Sequence, residues 1–187
     1  DLGGIAKGYT SARIMEIYRE YGITSGMVSL GGNVQTLGTR PDGKDWNIGI
    51  QNPDGQQGSL LAALPVENKA VITSGGYDRY FEEDGNTYIH ILNPKTGYPA
   101  DSGLLSVTIV SEDGTLADGL STSFFIMGKD RAEKFWQEQP DTFDMILMTD
   151  DRSVYITEGI RDDFSSDLNV NVIERGADSE GADKSSS

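Results

Sequence analysis

Asp118 and Thr122 lie four residues apart in ADGLST, Ala117–Thr122. On a helix this spacing sets a carboxylate and a hydroxyl on one face, one turn apart. Both are hard oxygen donors, the type magnesium takes alongside water and substrate phosphates. The pair also fits a plainer account, and taken by itself it is read that way: Asp118 in a first helical turn, stabilised by the helix dipole, and Thr122 bonded back to a carbonyl. His90 is the single histidine of the chain, in YIHILNPKTGYPA, Tyr88–Ala100. An imidazole there can act as a general base near neutral pH, although a lone strand histidine more often has a structural role. Two glycine-rich stretches accompany these residues. DLGGIAKGY, Asp1–Tyr9, combines glycines that allow close backbone approach with Lys7 and a following helix, whose free N–H groups suit an anion. SLGGN, Ser29–Asn33, reads first as a hairpin turn, where Gly and Asn tolerate positive φ.

The elements around these residues follow from periodicity. Gly8–Tyr21 predicts an amphipathic helix with Ile14, Ile17, Tyr18 and Tyr21 on the apolar face, stopped by Gly22. Short strands are expected at Met27–Leu30 and Val34–Leu37, then at Trp46–Gln51, Ser59–Pro65 and Ala70–Ser74. Tyr77–Leu92 predicts a hairpin, turning at Glu83–Asn86, with His90 on its second strand facing away from Ile89 and Ile91. Ser106–Val110 is a strand. At Thr115–Met127 the period changes to that of a helix closed by Gly128, and Lys129–Gln137 follows as another, ending before Pro140. Phe143–Thr149 and Ser153–Thr157 predict a hairpin, and Leu168–Glu174 a last strand. Strands interspersed with helices indicate an α+β fold, with a mixed, largely antiparallel sheet and packed helices. The expected organisation is one domain over residues 1–175 and a disordered polar tail over 176–187, where the composition falls to Gly, Ser, Asp, Glu, Ala and Lys.

The whole chain narrows the function classes. With 187 residues it can bury a substantial core. Thirty acidic residues against 15 basic ones give a net charge of -15, and no basic stripe exists for a nucleic-acid backbone. An anionic ligand can still bind where a cation bridges it. The absence of cysteine removes disulfides, thiolate metal sites and cysteine nucleophiles.

Taken in order, the motifs are more specific than any one of them. DLGGIAKGY (1–9), SLGGN (29–33), VITSGGYDRYF (71–81), YIHILNPKTGYPA (88–100) and ADGLSTSFFIMG (117–128) together resemble the ApbE family, and DRSVYITEG (151–159) also fits. These are the FAD:protein FMN transferases, first described as thiamine-biosynthesis lipoproteins. The resemblance runs from Asp1 to about Glu174 and implies that this is a C-terminal part of the fold whose N-terminal part is missing. It implies Mg²⁺-dependent transfer of FMN from FAD onto a Thr or Ser hydroxyl of a target protein, with release of AMP. The alternatives are hydrolysis of FAD to FMN and AMP, or an inactive flavin-binding fragment. By resemblance, Mg²⁺ is held by Asp118, Thr122 and a backbone carbonyl placed at Gly4. His90 is the base, and Asp1, Lys7 and Leu92 contact the flavin nucleotide. Asn93 stands where the family often has Asp, which keeps the turn and loses a charge. The family further implies an acceptor protein in membrane-linked electron transfer and an extracytoplasmic, lipid-anchored location.

Overall fold

A computed structural model describes residues 2–56, 58–77, 80–83, 86–139 and 141–176. The tail expected to be disordered lies, apart from Gly176, outside the described residues. The elements run in the order α1 (Ala6–Glu20), β1 (Gly26–Leu30), β2 (Asn33–Leu37), β3 (Trp46–Gln51), β4 (Leu60–Val66), β5 (Ala70–Gly75), β6 (Tyr80–Glu83) and β7 (Asn86–Ile89). They continue with β8 (Leu104–Ser111), α2 (Gly114–Met127), α3 (Lys129–Glu138), β9 (Phe143–Thr149), β10 (Val154–Thr157) and β11 (Val170–Ile173). The main sheet has seven strands in the order β1-β2-β5-β8-β9-β10-β11, while β3–β4 and β6–β7 form separate two-stranded ribbons. β10 and β11 are parallel, and the other described pairings of this sheet are antiparallel. The α+β expectation is therefore met.

The central strands are apolar on both faces because both faces are covered. On one face Ile72, Val107, Ile109, Met145 and Leu147 pack with Phe124, Phe125 and Trp136 of α2 and α3. On the other, Val71, Val110, Ile146 and Met148 pack with Ile48, Ile50, Leu61 and Leu64 of the β3–β4 ribbon. Period-two alternation thus feeds two cores from one strand, as in Met145-Ile146-Leu147-Met148. Trp136 Nε1 donates to the carbonyl of Phe143 at 2.9 Å, which satisfies its polar edge within the first core.

Two turns fix the frame of the site. Gly22 (φ 74°) ends α1 in a Schellman arrangement: its N–H donates to Arg19 O at 3.0 Å, and Ile23 N–H reaches Tyr18 O at 2.8 Å. Gly31 and Gly32 both have positive φ and join β1 to β2 as a two-residue hairpin in which Leu30 pairs with Asn33. Positive φ at both central positions is the backbone such a tight hairpin requires. The hairpin reading of SLGGN is correct, and the turn also sets the register of Asn33.

Two expectations are overturned. The fully buried residues of α1 are Gly8, Ser11 and Met15; of the expected apolar face, Ile14 and Tyr18 are half-buried, whereas Ile17 is 43% and Tyr21 80% exposed. Gly8 takes its buried place because α1 lies against α2 there at backbone distance. A Cβ built on Gly8 would sit 2.1 Å from Gly114 O and 2.6 Å from Asp118 Cβ. The Ser11 hydroxyl has two acceptors within reach of its one proton, Gly8 O at 2.9 Å and Gln35 Oε1 at 2.7 Å. The second correction concerns His90. It follows the end of β7 at a bend and is exposed, rather than lying within the strand. Its flanking residues still alternate as expected: Ile91 is buried in the core and Ile89 packs against it. The last described pair of this ribbon is Tyr80 with Ile89.

Candidate active site

The site is built where α1, β2, β5 and α2 meet. Asp113 caps α2, accepting from Thr115 N–H at 2.8 Å and Leu116 N–H at 3.1 Å. Asp118 follows within the helix, 4% exposed. Its role is not the first-turn one of the plainer account, because its carboxylate points into the next helix. Oδ2 accepts the N–H of Gly8 at 2.8 Å, and Oδ1 accepts Asn33 Nδ2 at 3.0 Å. Gly8 is in the first turn of α1, whose N-cap residue Ile5 supplies no side-chain cap. Asp118 therefore satisfies an orphan helical N–H from across the fold, and its charge faces the positive end of the α1 dipole. Both hydrogen bonds come from neutral donors and occupy two of the carboxylate's four lone-pair positions, which leaves the others for a further partner.

Asn33 joins this carboxylate to Lys7, whose Nζ lies 3.3 Å from Asn33 Oδ1. β2 places Asn33, Gln35 and Leu37 on one buried face by alternation. Asn33 thus reaches Asp118, and Gln35 receives Ser11. Gly119 sits beside Ile5, with its hypothetical Cβ 3.5 Å from Ile5 Cγ2, so the backbone around Gly4 adjoins the Asp118 turn of α2. Gly4 itself is half-buried, and a Cβ there would meet open space.

Thr122 does not bond back to a carbonyl. Its Oγ1 is 3.1 Å from Ser74 Oγ, at the end of β5, and Ser74 Oγ is 2.9 Å from Ser121 Oγ. Ser121 donates to the carbonyl of Asp118 at 2.9 Å, which is the carbonyl Thr122 would have used. Two residues beyond Ser74, Gly76 packs under Ile89, its hypothetical Cβ 2.9 Å from Ile89 Cγ2. This contact ties His90 to the same end of β5. Leu92 is 52% exposed and bridges to Pro99 across the following turn. In that turn Asn93 Oδ1 accepts Lys95 N–H at 3.0 Å, and Gly97 N–H donates to Asn93 O at 2.8 Å. That turn needs an oxygen at position 93, which Asn supplies as well as Asp.

The structure therefore links Lys7 to Asp118 through Asn33, carries Thr122 one turn further along the same helix, leaves Gly4 just before the first turn of α1, and leaves His90 and Leu92 on an exposed connection. Asp1 lies outside the described residues. Asn33, Ser74 and Ser121 are site residues whose contacts no spacing rule indicated; the occurrence of Asn after two turn glycines and of serines inside motifs was the available signal. Among the described residues no three His, Asp or Glu side chains converge on one point. A site of one carboxylate, a hydroxyl, a backbone carbonyl and water has the hard-oxygen composition of a magnesium site without such a cluster. The donor set fits Mg²⁺.

The ApbE family model matches residues 1–147. The chain belongs to the ApbE family. It is 37% identical over 165 residues to an FAD:protein FMN transferase of Klebsiella pneumoniae (strain 342), covering 88% of this chain and 50% of that protein. It is 35% identical over 170 residues to one from Treponema pallidum (strain Nichols), covering 87% of this chain and 47% of the relative. Among solved structures, the ApbE protein of Thermotoga maritima superposes with a TM-score of 0.79 at 38% identity, over 87% of this chain and 52% of that one. The flavin transferase ApbE from Vibrio cholerae gives a TM-score of 0.73 at 32% identity, with the same two coverages, 87% and 52%. The chain thus spans about half the length of the relatives it matches.

Proposed function

We propose that this chain carries the phosphoryl-transfer centre of an FAD:protein FMN transferase, which moves FMN from FAD onto a Thr or Ser hydroxyl of a target protein and releases AMP. The observation that carries the reading is Asp118: a buried carboxylate aimed by Gly8 N–H and Asn33, with Thr122 one turn along and Lys7 on the same asparagine. Family membership and the names of the relatives support it.

When bound, Mg²⁺ would supply the positive charge that lets so acidic a protein hold a pyrophosphate and stabilise its cleavage. Asp118, Thr122 and the Gly4 carbonyl would hold it. Lys7, joined to the same carboxylate through Asn33, would offer its ammonium to a phosphate oxygen, and Leu92 would line the nucleotide. His90, exposed on the connection next to β5, would take a proton from an incoming hydroxyl. The acceptor oxygen attacks the flavin-side phosphorus, the bond from that phosphorus to the bridging oxygen breaks, and AMP leaves with the bridging oxygen. The hydroxyl proton passes to His90. Positioning and charge stabilisation account for most of such a reaction.

The test is to incubate the full chain with FAD, Mg²⁺ and a candidate acceptor from membrane-linked electron transfer, then weigh the acceptor. The reading expects a gain equal to FMN less water, with one AMP per modified acceptor. Free FMN and AMP with an unmodified acceptor would support hydrolysis instead. No turnover of FAD in Mg²⁺ would refute both.

A further inference from the structure

We propose that Ser74 is a positioning residue that orients the Thr122 hydroxyl towards a divalent cation, through a directed chain of hydroxyls ending on the backbone of Asp118. The inference rests on the reading of Asp118 and Thr122 as cation ligands. It goes beyond that reading by assigning a role to residues outside the ligand set.

The direction of the chain follows from counting protons. A carbonyl only accepts, so the 2.9 Å contact between Ser121 Oγ and Asp118 O uses the single Ser121 proton. The 2.9 Å contact between Ser74 and Ser121 must then be donated by Ser74. With the Ser74 proton spent, the 3.1 Å contact between Ser74 and Thr122 must be donated by Thr122. The order is Thr122 O–H to Ser74, Ser74 O–H to Ser121, and Ser121 O–H to Asp118 O. A neutral hydroxyl that binds a cation must turn its proton away and present lone pairs. Here the Thr122 proton is fixed on Ser74, and no donor among the described residues takes the Thr122 lone pairs.

The chain also has a reason to be rigid. Ser121 is fully buried, and Ser74 lies within β5, one residue before its end, opposite Val107 of β8. It closes on the backbone of the residue whose side chain is the anionic ligand. The two proposed ligands, Asp118 and Thr122, are therefore held by one connected network, as supporting residues around a metal commonly hold its ligands.

The test is a double-mutant cycle read by Mn²⁺ binding, measured by electron paramagnetic resonance on the full chain without FAD, with thermal melts alongside. Ser74→Ala should weaken Mn²⁺ binding about 10-fold or more, within the range for such supporting residues. In a Thr122→Val background, Ser74→Ala should have no further effect, because its action runs through the hydroxyl already removed. Ser121→Ala is a second route to the same conclusion should Ser74→Ala melt early, and it too should be silent in the Thr122→Val background. Additive losses in that background, or unchanged binding in both serine variants while Asp118→Ala and Thr122→Val bind weakly, would overturn the proposal and leave the ligand assignment standing. If Asp118→Ala binds Mn²⁺ as the unaltered chain does, the ligand assignment fails and the proposal with it.

Discussion

Replacing Gly8 by Ala tests the packing that creates the site, independently of any ligand. The added methyl would sit 2.1 Å from Gly114 O and 2.6 Å from Asp118 Cβ, and neither the carbonyl nor the Cβ is the far end of a flexible side chain. Helix α1 must move away from α2. Over-packing of this kind costs about 1–3 kcal/mol. The movement also lengthens the 2.8 Å bond from Gly8 N–H to the Asp118 carboxylate, and a hydrogen bond to a charged group is worth about 1.5–3 kcal/mol. Ala is the better helix former by about 1 kcal/mol, which offsets part of this. The net loss is about 2–4 kcal/mol, and at about 2–4 °C per kcal/mol for a chain of this size the melting temperature should fall by about 5–15 °C. Differential scanning calorimetry measures it directly. Gly4→Ala is the control, since a Cβ there meets nothing within 4 Å, and it should melt close to the unaltered protein. If Gly8→Ala also melts within a degree or two of it, the close approach of the helices and the capping role of Asp118 are both wrong.

Asp144 is buried on β9, and burial pushes its carboxyl pKa up, opposed by the Thr157 hydroxyl donating to it and by Lys69 and Arg175, and reinforced by Asp141. The folded protein then binds this proton more tightly than the unfolded chain, so stability falls as pH rises through the window above the ordinary aspartate value; Asp144→Asn, which keeps an acceptor for Thr157, should flatten that slope in urea titrations, and an unchanged slope would count against it. His90→Ala should slow FMN transfer by about 10²–10⁴-fold with little change in melting temperature, because the side chain is exposed; a stable variant with full transfer would remove His90 from the mechanism.

Local pattern carried most of the fold into the sequence. Trp46–Gln51, read from its alternation, and Phe143–Thr149, read as one arm of a hairpin, are strands at the expected bounds, and α2 differs from its periodic segment by one residue at its start. What stayed hidden depends on contacts distant along the chain. Gly8 meets Asp118 across 110 positions and Asn33 meets it across 85. No spacing rule relates such residues, so the glycine face of α1 was misread in favour of Ile17 and Tyr21, whose hydrophobicity is conspicuous and whose side chains are exposed. The pair Asp118 and Thr122 is visible as a helical i, i+4 spacing, but the hydroxyl that meets Thr122 comes from Ser74 on β5, which in turn meets Ser121. His90 was placed on a strand because apolar alternation continues through Ile89 and Ile91, while the ladder that defines a strand ends one residue earlier.

As proposed above, Asp118 would anchor a divalent cation on which FAD cleavage depends. The most direct measurement is AMP release from FAD as a function of Mg²⁺ concentration, for the unaltered full chain and for Asp118→Asn, which preserves an oxygen for Gly8 N–H and removes the charge. The account predicts saturable, Mg²⁺-dependent release by the unaltered chain, and loss of that dependence in the variant at an unchanged fold by circular dichroism. An Asp118→Asn variant that releases AMP with the same Mg²⁺ response would place the cation, and the chemistry, elsewhere.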